Sequence, residues 1–257
     1  MNIRSFADFE NYISGDESSI INKVNIVTTG EVENGSPFSV ISDVKENNGL
    51  PTLLCGSFEV KMINESDLNG VKIYNSFNIK RGKNILEKFI GENFIPKTIK
   101  NRNKVKSLKF PIVAKNKNES NTYNSYHMFK KSENDYNSYQ EKVIPKTKYE
   151  VLMFKDDPVC MYEKVNDKYY HKNISSSLSK KIKSISNKIM ESHGLDVYYM
   201  KIYESMKGNH YLSGVNRCDN LNKRQSGLLY IKLYEDHYQY PIPTWFKNKI
   251  NSIDVNS

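Results

Sequence analysis

Phe110-Pro111-Ile112-Val113-Ala114-Lys115 is the stretch whose reading decides the fold. A proline-led run of apolar and β-branched residues predicts a strand, the clearest in the chain, and it stops on a lysine. A lysine in that place serves one of two ends. It guards a sheet edge, or it supplies a fixed cation where a phosphoryl group gathers charge. Upstream, Lys100 to Lys109 reads as a basic linker, and downstream Asn116 to Asn124 reads as a polar loop without glycine.

Beyond that loop, Val151-Leu152-Met153-Phe154 and Val159-Cys160-Met161-Tyr162 flank Lys155-Asp156-Asp157-Pro158, the pattern of a hairpin. Between Ser177 and His193, Leu178, Ile182, Ile185 and Ile189 recur at helical spacing and Gly194 follows, which predicts an amphipathic helix with a glycine stop. Val197 to Tyr203 and His210 to Asn216 read as two strands around the turn Lys207-Gly208-Asn209. The tail from Leu228 to Ile250 reads as helix until Pro241 and Pro243 interrupt it, with Trp245 and Phe246 docking a last turn.

Moving the other way, Ile85 to Ile90 predicts a helix closed by Gly91, and Pro96 marks an exit into extended chain. Val24 to Val27, Thr52 to Cys55 and Val71 to Tyr74 are short strands next to glycines, after a first helix in residues 1–22. They suggest a small α/β unit, and the whole chain reads as α/β (α+β).

Over 257 residues, 38% hydrophobic and 26% charged, the composition is that of a globular protein on the polar side, with mean hydropathy −0.66. Lys and Arg number 38 against 29 acids, a formal charge of +9, which suits a polyanionic partner and equally a solvated lysine-rich surface. Cys55, Cys160 and Cys218 are widely spaced and form no CxxC pair, so neither a disulfide framework nor a zinc knuckle is indicated. No apolar run approaches the ~20 residues of a membrane helix, and the acid-bearing N-terminus has no signal-peptide core. The expectation is a soluble, cytoplasmic protein without a membrane partner. The tyrosines and lysines come with no nucleic-acid motif, and the five histidines share no metal or nucleophile spacing.

This order of pieces resembles the ATP-grasp superfamily, nearest the ribosomal-protein glutamate ligase type and the ATP-grasp proteins encoded by some large bacteriophages. The likeness covers roughly residues 70–220 well and the first 70 in outline. It implies a small N-terminal α/β lobe, 1–80, and an ATP-grasp nucleotide-binding and C-terminal lobe, 81–257. It implies ATP as ligand and a carboxylate–amine ligase that works through an acyl phosphate, in the cytoplasm (the host's, if phage-encoded). By the same resemblance Lys115 and the earlier Lys83 hold phosphates. The backbone of Glu141, Lys142, Val143 and Ile144 reads adenine, Lys164 is the catalytic cation after the hairpin, and Asn216 is a metal ligand.

Several positions depart from the family pattern. Glu150 stands where an arginine is usual, and Lys164 keeps a charge but not the guanidinium fork. The acid expected to bind magnesium appears as Lys201, and the closing Glu-x-Asn appears as Gly214-Val215-Asn216. Magnesium wants hard oxygen ligands, so two expected carboxylates are missing. A slip in register would offer Glu204, Ser213 or Asp219 instead. An active ligase and a degenerate scaffold that binds a nucleotide, a protein or a virion partner both stay open, with a polyanion-binding protein as a third reading.

Overall fold

A computed structural model describes residues 24–28, 37–55, 71–75, 89, 92–116, 119–166, 168–193, 195–218, 220–239, 241–242 and 244–253. Lys83, the first helix, the helix 85–90, Gly194 and Asp219 lie outside them. The chain divides into two compact units, one of residues 1–80, 150–200 and 216–257, the other of 81–149 and 201–215.

In the first unit, β1 (Asn25–Thr28), β2 (Ser39–Val40), β3 (Thr52–Cys55) and β4 (Ile73–Tyr74) form a sheet of order β2-β1-β3-β4. Its pairings are parallel, with Ile26 opposite Val40 and Leu53, and Leu53 opposite Tyr74. The three expected strands are therefore present, with β2 added. β3 is buried along its whole length, as a parallel strand covered on both faces should be.

The expected hairpin is longer than its apolar runs. Strand β9 (Pro145–Phe154) turns at Lys155, whose φ is +53°, into β10 (Asp157–Val165). β11 (Lys168–His171), a strand with no apolar alternation to announce it, pairs antiparallel with β10 and sets Tyr162 opposite His171 and Lys164 opposite Tyr169. β12 (Val197–Ser205) and β13 (His210–Arg217) meet at a turn in which Gly208 takes φ +75°, a conformation that glycine adopts without a Cβ penalty. The sheet order is β11-β10-β9-β12-β13.

Residues 145–149 and 201–215 of these strands are counted in the second unit. Three helices lie in the first unit: α2 (Ser176–His193), α3 (Lys223–Tyr238) and α4 (Thr244–Ser252). α2 buries Leu178, Ile182, Ile185 and Ile189, the stripe predicted from their spacing. α3 starts where Asn222 and Gln225 form a reciprocal capping box. Its aromatic and aliphatic side chains join a core with Leu53, Tyr74, Phe154, Tyr162, Val197 and Phe246. The last turn expected around Trp245 is a nine-residue helix.

The second unit holds β5 (Thr98–Ile99), β6 (Ile112–Lys115), β7 (Ser120–Tyr123), β8 (Ser138–Glu141) and α1 (Tyr126–Lys130). Its sheet runs β5-β8-β6-β7, all pairings antiparallel. Two local expectations are corrected here. Residues 116–124 are not all loop, because Ser120–Tyr123 folds back on β6 and the Asn116 N–H closes the turn onto Glu119 O at 2.8 Å. The basic linker contains a 3-10 helix, Arg102–Ser107, capped by the Asn101 side chain and anchored by buried Val105, with buried Leu108 after it. Lysines at the intervening positions mask that apolar pair in the sequence. No helix among the described residues is long and apolar enough to cross a membrane.

Candidate functional site

Lys115 ends β6, a central strand of the second unit's sheet, so it is not guarding an edge. Ile112 and Ala114 point into the core and Val113 and Lys115 lie on the other face, half-buried. The ladder sets Lys115 opposite Ser138 and Gln140 opposite Val113. Lys115 and Gln140 are thereby diagonal neighbours on one face, and the Lys115 ammonium donates to Gln140 Oε1 at 2.8 Å. Gln140 is held in turn, its Nε2 donating to Thr98 Oγ1 at 2.9 Å. Burial lowers the pKa of Lys115 below the ordinary lysine value. No carboxylate among the described residues pairs with it, and its contact among them is with the neutral Gln140 amide.

The strip Glu141–Ile144 begins on β8 and leaves it. The Glu141 N–H goes to Lys97 O and the Lys142 N–H to Pro111 O, each at 2.9 Å. The Glu141 carboxylate accepts from the Lys109 N–H at 2.8 Å, which ties the entry of β6 to the end of β8. Two of the four backbone donors in the strip, those of Glu141 and Lys142, are therefore already used. Ile144 is 63% exposed.

Lys201 and Gly214 are brought together. A Cβ added to Gly214 would stand 3.9 Å from both Cβ and Cδ of Lys201, and Ser213 Oγ donates to Lys201 O at 3.1 Å. The two positions at which the resemblance expects acids thus face one another as an ammonium and a bare backbone. Glu204 does not replace them. It lies three residues along β12, on the opposite face by strand parity, where it accepts from Tyr149 Oη at 2.7 Å and pairs with Lys146 at 3.6 Å. The Tyr149 hydrogen bond is the main influence lowering the Glu204 pKa. Ser213 is likewise of the other parity from Gly214. A face carrying an ammonium and a glycine does not fit magnesium, and among the described residues no group of three His, Cys, Asp or Glu could hold a metal.

Lys164 and Asn216 belong to the first unit. Lys164 is exposed on β10, with Nζ 5.7 Å from the centre of the Tyr169 ring opposite it. Asn216, also exposed, shares strand parity with Gly214 along β13. Thr98 is the residue that the sequence did not reveal, and Gln140, the head of the Gln140–Ile144 strip that resembles the family's adenine segment, was not legible as the partner of Lys115. Only the pairing of β8 with β6 brings Gln140 to Lys115, and a glutamine at the head of the strip was the one available signal.

Fold and site together define a mixed α/β protein that presents a half-buried lysine, without counter-charge among the described residues, at the end of a central strand. No protein-family model matches the chain, and no curated protein does. Among solved structures it is similar to N5-carboxyaminoimidazole ribonucleotide synthetase from Thermotoga maritima, at 15% identity and TM-score 0.47 over 85% of this chain and 75% of that one. It is also similar to the ATP-grasp ligase PsnB complexed with precursor peptide PsnA2 and AMPPNP, at 12% identity and TM-score 0.46 over 76% and 88%. A third is N5-carboxyaminoimidazole synthase from Aspergillus clavatus in complex with ADP, at 12% identity and TM-score 0.44 over 86% and 78%.

Proposed function

We propose that the chain is an ATP-grasp protein that binds ATP at Lys115 and acts as a carboxylate–amine ligase, nearest the ribosomal-protein glutamate ligase and phage-encoded types. The observation that carries this is the Lys115 ammonium, held at a strand end by Gln140 with no acid beside it among the described residues. Such a cation is ready for a polyphosphate, because a phosphate oxygen repays the desolvation that an amide oxygen compensates only in part. The element order supports the reading: a strand ending in lysine, a hairpin, a long helix and a strand pair that reaches Asn216. In the proposed reaction the γ-phosphoryl group of ATP passes to a carboxylate and ADP leaves. An amine then attacks the acyl phosphate and expels phosphate. Lys115, with Lys83, holds phosphate oxygens, Val143 and Ile144 offer backbone to adenine, and Lys164 adds positive charge. Asn216 would keep one amide oxygen of the expected metal set, on a face that otherwise does not fit magnesium.

One observation favours a second reading. The Lys201–Gly214 pair, where metal carboxylates are expected, suits a scaffold that keeps the nucleotide and has lost the transfer. A thermal-stability titration with ATP separates the two, since a ligand of the native state raises its melting temperature. A shift that requires magnesium and disappears in Lys115→Ala supports the ligase. A shift indifferent to magnesium supports the scaffold, and no shift at millimolar ATP overturns both.

A further inference from the structure

Arg224, in the first turn of α3, is 9% exposed, and its Nε has no hydrogen-bond partner among the described residues. Its one hydrogen bond there is long, from Nη1 to Ile253 O at 3.4 Å, and no carboxylate among the described residues pairs with it. A guanidinium stays protonated, and an uncompensated buried charge is expensive. α3 packs against β10, and Tyr162 on β10, 1% exposed and within reach of the Arg224 charge, has a hydroxyl that likewise lacks a partner among the described residues. Cys160 is the polar neighbour that acts on this hydroxyl, and a thiol is a weak acceptor that leaves it short of a full hydrogen bond.

The counter-charge does not come from these neighbours. Burial pushes the Cys160 thiol up to about 11 and raises Tyr162 further, against the opposing pull of Arg224. His171, whose ring centre is 6.1 Å from that of Tyr162, has its pKa lowered by burial and then by Arg224, so near neutral pH it adds no opposing cation. The start of α3 adds the positive end of a sixteen-residue helix. Its capping box occupies the Gln225 N–H, and the Ser226 N–H returns to Asn222 O. An unsatisfied guanidinium N–H, an unsatisfied phenol O–H and a helix N-terminus make a set of donors in need of an acceptor.

We propose that Arg224 Nε, Tyr162 Oη and the N-terminus of α3 bind a small oxyanion, a carboxylate or a phosphate, at a site separate from the Lys115 nucleotide site. His171 is exposed on β11 beside Tyr162, so solvent lies one side chain away. The occupant is a group with two acceptor oxygens and net negative charge. A lone water would satisfy hydrogen bonds but leave the charge unbalanced.

The test is thermal unfolding of the full chain in inorganic phosphate, in acetate and in chloride at matched ionic strength, without nucleotide or magnesium. Phosphate or acetate should raise the melting temperature over chloride, and the stronger of the two names the source. Lys115→Ala should keep the response, which separates this site from the nucleotide site. Arg224→Met should weaken the apparent affinity by about tenfold or more. Tyr162→Phe, which removes one orphan hydroxyl and leaves the ring packed, should weaken it by several-fold while the protein stays folded. Equal responses in wild type and Tyr162→Phe overturn the proposal. So does an Arg224→Met protein that folds and keeps the wild-type response. A response that is absent in wild type and appears in Asp219→Asn or Asp254→Asn also overturns it, since the chain would then supply its own carboxylate.

Discussion

Lys115 and Gln140 meet side chain to side chain, ammonium to amide oxygen at 2.8 Å, across the β6–β8 ladder. An amide satisfies the geometry of the ammonium and leaves its charge available. Gln140→Glu converts the contact into an internal ion pair and should weaken ATP binding by at least about tenfold, because the carboxylate competes with phosphate for one cation. Lys115→Ala should abolish the ATP-induced rise in melting temperature while changing the stability of the free protein by about 1 kcal/mol or less. Since burial lowers the Lys115 pKa, raising the pH should discharge it sooner than an ordinary lysine. The ATP-induced shift, followed from pH 7 upward, should decline before lysines in general titrate.

The first unit contains an acid in the opposite condition. Asp236 accepts from Lys72 at 2.6 Å, from Tyr74 Oη at 2.8 Å and from Lys155. Burial alone would raise its pKa, but these donors overcome that and hold it at about 2, below the reference 3.8. A depressed carboxylate contributes stability that is fully present above the reference value and lost as pH falls towards the folded value. Asp236→Asn should therefore cost on the order of 1–2 kcal/mol at pH 7. The difference from wild type should shrink between about pH 4 and pH 2, as urea unfolding at both pH values would show. A constant difference would mean that packing, not charge, holds Lys72 and Lys155 there.

What could be read from the residues follows the range of the forces involved. Ile112-Val113-Ala114 and the Leu178–Ile189 stripe announce themselves because burial is periodic along the local chain. Ser120–Tyr123 does not, because a polar strand with alternately exposed residues is held by its ladder to β6 rather than by its own apolar side chains. The 3-10 helix at 102–107 was hidden for a related reason, since Val105 and Leu108 supply its burial amid four cations between Lys100 and Lys106. Within the site, Lys115 was legible as a residue type at a strand end. Its partner was not, because a diagonal contact depends on register between strands 25 residues apart. The facing of Lys201 and Gly214 also depends on register, set by the turn at Gly208.

Gly227 is a point of close approach between α3 and α4. A Cβ added there would lie 2.8 Å from both Cδ1 and Cγ2 of Ile250, which is 1% exposed and has little room to move. Gly227→Ala should lose about 1–3 kcal/mol to overpacking, less the fraction of a kcal/mol that alanine gains over glycine within a helix. Ile250→Ala is itself destabilising as a core truncation, yet on the Gly227→Ala background it should cost much less than alone. A double-mutant cycle by chemical denaturation reads that coupling, and strict additivity would show that the two helices slide apart without strain.

The Lys201–Gly214 pair permits a test by reconstruction. A new Cβ at position 214 would be in ordinary van der Waals contact with Lys201, at 3.9 Å, so a side chain fits there without moving the strands. Gly214→Glu alone should set the new carboxylate against the Lys201 ammonium, giving a modest gain in stability of about 0.2–1 kcal/mol and no metal response. Lys201→Asp together with Gly214→Glu removes the cation and leaves two carboxylates on one face, with Asn216 in phase along β13. Two like charges side by side should destabilise the metal-free protein, and magnesium should reverse that, because a divalent ion satisfies both. At ten times its dissociation constant a ligand adds about 1.4 kcal/mol, or about 3–5 °C for a chain of this size. The double variant should show that rise with magnesium in the presence of ATP, beyond any response of the wild type. If it does, the scaffold reading gains a cause, because only the oxygen ligands had been lost. If the double variant folds and ignores magnesium, the face between β12 and β13 is not the metal side of this protein.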